Sequence, residues 1–102
     1  MEQAVIVRFD YDGENLDDLF ELEDSLEEAI SEARAGEYDG HEIEVGSISE
    51  VTLYMYGADA DALFAVVLPV LSNATCFNRA VATLRYGPAE EGVRSFEVPI
   101  KA

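Results

Sequence analysis

The pattern of apolar residues predicts an α+β fold, a ferredoxin-like two-layer sandwich of order β-α-β-β-α-β with a C-terminal fifth strand. Short β-branched or alternating segments (4–9, 41–45, 51–56, 80–86 and 94–100) are interleaved with two segments of helical period, 16–35 and 60–72. Two helices on one face of an antiparallel-rich sheet give two layers around one core. Right-handed crossovers make the first and third strands central neighbours, and the fifth extends the sheet most simply beside the fourth. A chain of 102 residues is expected to be a single domain, 1–102.

Ala4 to Phe9 is short and β-branched, hence a strand. Asp10 to Asn15 reads DYDGEN, which is turn chemistry. Asn15 can N-cap the first helix, with Asp18 as a weak capping box, and Gly36 can end it. Leu16, Leu19, Leu22, Leu26, Ala29, Ile30 and Ala33 recur at spacings of three and four and form one apolar stripe. Asp39-Gly40 marks a turn. His41, Ile43 and Val45 then alternate with Glu42 and Glu44 as a half-buried strand does. Gly46 to Glu50 reads as a loop, and Val51, Leu53 and Met55 alternate with Thr52, Tyr54 and Tyr56 up to Gly57. Asp59 can cap the second helix, which buries Leu63, Val66, Val67 and Val70. Pro69 is expected to kink that helix or end it near Leu68. Gly87 to Gly92 joins the last two strands as a hairpin loop.

Composition excludes several classes. Apolar residues make up 49% of the chain, too many for a disordered or low-complexity segment. One Cys and one His exclude a disulfide framework and a four-ligand zinc site. The formal charge of −16 repels phosphate, so nucleic acid is not expected as a direct partner. The longest apolar run, Ala62 to Leu71, is too short to span a membrane. The start MEQAVIVRFD has no basic region followed by a long apolar stretch, so no secretory signal is expected. The single Cys76 fits a reducing compartment, and the cytoplasm is the expected location.

Three segments, Asp39 to Ile43, Thr52 to Phe64 (TLYMYGADADALF) and Thr83 to Pro88 (TLRYGP), follow an acidic helix. In this pattern the chain resembles a family of small uncharacterised bacterial proteins. The likeness covers about half the chain and implies the fold and compartment, with no activity to carry over. The chain departs from the family at Gly46 to Glu50, where a Gly-rich turn would be expected.

Charge supplies the first candidate surface. From Asp10 to Glu32 there are eleven acidic residues and no Lys or Arg. Like charges stand four apart at Glu14/Asp18, Asp17/Glu21, Glu23/Glu27, Asp24/Glu28 and Glu28/Glu32. Each such pair costs roughly 0.2–0.5 kcal/mol at low salt. Three explanations stand side by side: solubility or adaptation to high salt, a basic protein partner, and a divalent cation. Asp10, Asp12, Glu14, Asp18 and Glu21 fall on calcium-loop spacing, but Asn15 occupies the glycine position and a strand precedes the loop. The match is read as accidental.

Strand parity supplies the second. If Val5, Val7, Phe9, Val51, Leu53 and Met55 face the helices, then Arg8, Glu42, Glu44, Thr52, Tyr54, Tyr56, Thr83, Arg85 and Glu97 face outward. Tyr and Arg are the types that anchor protein interfaces. The plainer alternative is cross-strand pairing that only stabilises the sheet. His41, at a strand start among carboxylates, reads as a partly packed edge residue before it reads as a general base. Cys76 reads as a buried small hydrophobe, since reactive thiols need an electropositive setting.

The residues therefore favour a non-enzymatic protein-binding module. Its candidate binding residues are Arg8, Tyr54, Tyr56 and Arg85 on the sheet and Asp24 and Glu28 on the acidic helix. No catalytic residue, metal or cofactor is assigned. The expected partner is a protein, basic in one reading and a second copy (a homodimer) in another, with no nucleic acid and no membrane. An immunity-type or nucleic-acid-mimicking inhibitor of a basic partner stands as an alternative. So does an enzyme, or a metal or small-molecule sensor, with its site between subunits.

Overall fold

The computed structural model describes residues 2–11, 16–46, 49–74, 77–88, 90 and 92–100. The elements in chain order are β1 (Gln3–Tyr11), α1 (Asp17–Ala33), β2 (Glu37–Glu44), β3 (Ser49–Gly57), α2 (Ala60–Asn73), β4 (Phe77–Arg85) and β5 (Ser95–Pro99). The fold is α+β. Its five strands form one antiparallel sheet in the order β2-β3-β1-β4-β5, so β1 lies at the centre beside β3 and β5 lies outside β4.

Alternation decides which face of the sheet is covered. Val5, Val7, Phe9 and Tyr11 of β1, Val51, Leu53 and Met55 of β3, and Ala80, Ala82 and Leu84 of β4 are buried in one cluster. The same cluster contains Leu19, Leu22, Leu26 and Ile30 of α1 and Ala60, Leu63, Val67 and Leu71 of α2. Both helices therefore lie on one face, and the apolar stripe holds α1 in place despite its charge. Removing a large member such as Phe9 or Leu26 costs about 2–5 kcal/mol through lost burial and the cavity left behind.

Several boundaries depart from the sequence reading. Helix α1 ends at Ala33, and Arg34, not Gly36, takes the left-handed turn at φ 52°. The turn is closed by Arg34 N–H donating to Ser31 O and Ala35 N–H donating to Ile30 O. Gly36, at φ +150°, serves a different need, because a methyl there would overlap the Tyr56 carbonyl. Asp39-Gly40 is a bulge inside β2 and not a turn before it. The register with β3 shifts between Tyr38 and Gly40, and Gly40 takes φ +111°. Helix α2 neither ends nor breaks off at Pro69 but continues to Asn73. Ala65 and Pro69 are both exposed, so the carbonyl deprived of its usual donor can turn to water. Asp59 caps α2 as expected, its carboxylate accepting from Ala62 N–H at 3.2 Å. The N-cap of α1 falls on Leu16, with no side-chain hydrogen bond, and not on Asn15. Asn15 itself, the Asp12 and Glu14 positions of the calcium-loop spacing, and Cys76 lie outside the described residues.

Candidate functional site

Among the described residues no helix lies on the second face of the sheet, and its side chains follow from register. Four rows cross the strands. One runs Glu44–Glu50–Asp10–Asn78, the next Glu42–Thr52–Arg8–Val81–Pro99. Then come Gly40–Tyr54–Ile6–Thr83–Glu97 and Glu37–Tyr56–Ala4–Arg85–Ser95. Arg8, Tyr54, Tyr56 and Arg85 thus share this face, as parity predicts. Tyr54, Tyr56 and Ile6 are half-buried among their neighbours, and Ala4, between Tyr56 and Arg85, is fully buried.

The four residues do not have equal freedom. Arg85 Nε donates to Gly87 O at 2.8 Å, which ties its guanidinium to the end of its own strand. The Tyr54 phenol is pushed above its ordinary value by desolvation, then by the Glu42 charge and the hydrogen bond with that carboxylate. Arg8 is exposed in the row between Thr52 and Val81.

The first row holds three carboxylates side by side. Glu50 stands opposite Glu44 on one side and Asp10 on the other. Directly opposed residues on neighbouring strands lie about 5 Å apart, and like charges there repel. Arg79 Nε approaches Asp10 at 3.9 Å from an exposed position. Among the described residues no ion pair reaches Glu44 or Glu50. Glu42, Ile43, Glu44, Glu50 and Thr52 line a shallow hollow of about 300 Å³ beside the row. Among the described residues no three His, Cys, Asp or Glu side chains converge as a metal site.

Asp24 and Glu28 lie exposed on α1, in the helical layer, so the fold does not bring them to the sheet set. Near them a second hollow of about 390 Å³ opens between α1 and the end of α2, with Asp18 and Glu21 above Leu22 and Val70.

Both sheet edges are guarded. The β2 edge carries Glu37, Asp39, Glu42 and Glu44 and the Gly40 bulge. On β5, the bonds Tyr86 N–H to Arg94 O and Ile100 N–H to Ala80 O turn the even-numbered residues toward β4. Ser95, Glu97 and Pro99 therefore point their backbone outward, and proline has no N–H to offer. Charge, bulges and proline at an edge discourage strand addition.

Two clusters went unseen in the sequence. In the seam between α1 and β2, Tyr38 Oη donates to Glu23 Oε2 at 2.7 Å, and His41 Nδ1 lies 2.8 Å from Glu23 Oε1. That oxygen is buried and accepts no hydrogen bond among the described residues, so the 2.8 Å approach of His41 Nδ1 is a close polar contact. His41 is thus the packed edge residue that its parity suggests, with the Phe20 ring 6.4 Å away. Burial is the largest influence raising the Tyr38 phenol, followed by its bond to Glu23. At the other end of the sheet, the Arg94 guanidinium lies 5.5 Å from the Tyr86 ring centre and 5.2 Å from that of Phe96. Tyr86 Oη also donates to Asp61 Oδ1 at 2.6 Å, linking β4 to α2. Nothing in the local sequence marks Glu23 among its acidic neighbours. Arg94 and Phe96, two apart, were the one available signal for the second cluster.

No protein-family model matches the chain, and neither does any curated protein. No helix among the described residues is long and apolar enough to cross a membrane.

Proposed function

We propose that this chain is a non-enzymatic protein-binding module on a ferredoxin-like sandwich with one added strand, and that it works through the open face of its sheet. The succession β2-β3-β1-β4 favours the ferredoxin-like reading. The observation that carries the binding reading is an uncovered five-stranded face presenting Tyr54, Tyr56, Ile6 and Arg8 together, while both sheet edges are guarded. Tyr supplies contact area with little conformational entropy to lose and keeps a hydroxyl for hydrogen bonding. At about 3.3 Å per residue and 4.8 Å per strand, the face measures roughly 600 Å², close to the ~800 Å² per partner of a stable interface. Single-cysteine usage and the likeness of 52–64 and 83–88 to small bacterial proteins support a bacterial cytoplasmic setting. An inhibitor of a basic protein is one form such a module takes.

The test is Tyr54→Ala with Tyr56→Ala, followed by sedimentation and by capture of partners from native extract. The variant is expected to fold and to lose its partners. Retained capture, with the same sedimentation as the parent, removes the sheet face from the reading.

A further inference from the structure

We propose that the open sheet face receives a cationic protein segment, with its Lys or Arg side chains on the Glu44–Glu50–Asp10 row and its apolar side chains along Tyr54 and Ile6. The inference rests on the binding reading above and adds the chemistry of the occupant. Charge complementarity decides it. The face presents six carboxylates (Glu37, Glu42, Glu44, Glu50, Asp10 and Glu97) against three guanidiniums, those of Arg8 and Arg85 and that of Arg79, which reaches only Asp10. A second copy would bring the same excess of negative charge onto itself, so a homodimer through this face is disfavoured. Nucleic acid is disfavoured for the same reason.

The charge is also unevenly placed. It concentrates in the row where β2, β3 and β1 align three acids, beside the hollow at Glu42 and Thr52. Two rows further along, past Thr52 and Arg8, the face turns neutral at Tyr54, Ile6 and Thr83, before Glu97 at its β5 end. A segment with cations at one end and apolar residues at the other matches that gradient. A cation on the row relieves two unfavourable neighbour pairs at once, because Glu50 is common to both. Such a contact is lost with salt, since exposed charges are screened beyond about 8–10 Å at physiological ionic strength.

The experiment uses the full chain and two synthetic peptides of equal length, one with four arginines followed by Leu and Phe residues, the other with the arginines replaced by serine. Fluorescence anisotropy at low and high salt reads the affinity. The arginine peptide is expected to bind at low salt and to weaken strongly at high salt. Glu44→Gln with Glu50→Gln is expected to cost at least tenfold. Asp24→Asn with Glu28→Gln, which removes the same charge from α1, is expected to cost less than threefold. Equal losses from the two pairs overturn the proposal, since binding then follows the overall charge alone. Sedimentation of the free protein as a dimer sensitive to Tyr54→Ala overturns it in favour of a second copy. If only the serine peptide binds and Tyr54→Ala abolishes that binding, the sheet-face reading survives and the cationic occupant falls.

Discussion

Glu23 shows how a single side chain can be committed to structure within a strongly acidic helix. Its carboxylate turns inward, where Tyr38 and His41 each meet one oxygen. His41→Ala removes the polar neighbour 2.8 Å from the buried Glu23 Oε1 and is expected to lower stability by about 1–3 kcal/mol in urea unfolding. Glu23→Ala should then cost less in the same background than it does alone, because one of its two partners is already gone while the Tyr38 bond remains to be lost. Tyr38 provides a pH signature. Its phenol is held above the ordinary value of 10.0 by burial, then by the bond to Glu23 and the charges of Glu23 and Glu27. Above pH 10 the unfolded chain releases this proton while the folded chain retains it, so stability falls as pH rises. The contribution is complete below the unfolded value. Tyr38→Phe is expected to be less stable at neutral pH by about 1–3 kcal/mol and to lose stability less steeply above pH 10. An unchanged alkaline slope would contradict the assignment. Neither partner of Glu23 was legible from spacing, because 15 and 18 residues separate them from it and the seam forms only when α1 packs on β2.

At the scale of elements, alternation made the strands and their inward faces legible. It could not reveal where the backbone must pass close to itself. Gly36 reads as a helix stop in sequence, yet Arg34 performs that turn and Gly36 instead lies against the end of β3. Gly36→Ala is therefore expected to destabilise by more than 2 kcal/mol, since both its positive φ and the overlap with the Tyr56 carbonyl must be relieved. Asp39-Gly40 was legible as a site of positive φ and not as a bulge, because register is a property of two strands. Pro69 was read by its chemistry without knowledge of which side of α2 faces water. On α1, Asp24 and Glu28 take part in no ion pair among the described residues. Replacing both by Lys is expected to raise the stability of the free protein at low salt by about 0.5–1 kcal/mol, with the gain shrinking in 1 M salt.

At the scale of the whole molecule, the sheet has a covered face, an open face and two guarded edges. The sequence showed parity, and hence Arg8, Tyr54, Tyr56 and Arg85 on one side. It could not show the acid row, because Asp10, Glu44 and Glu50 come from three strands and meet only through register. The row has a cost in the free protein. Unit charges about 5 Å apart repel by roughly 0.8 kcal/mol even in bulk water. Glu50→Gln should therefore raise the free protein's stability at low salt while weakening cationic ligands, a pairing of effects that a purely structural residue would not produce. The most direct measurement is a titration of the labelled protein with the arginine peptide, followed by backbone amide NMR shifts. Shifts confined to 6–10, 42–44 and 50–54, with α1 unmoved, are the result predicted. Shifts running along 17–33 with the sheet unmoved would contradict the account.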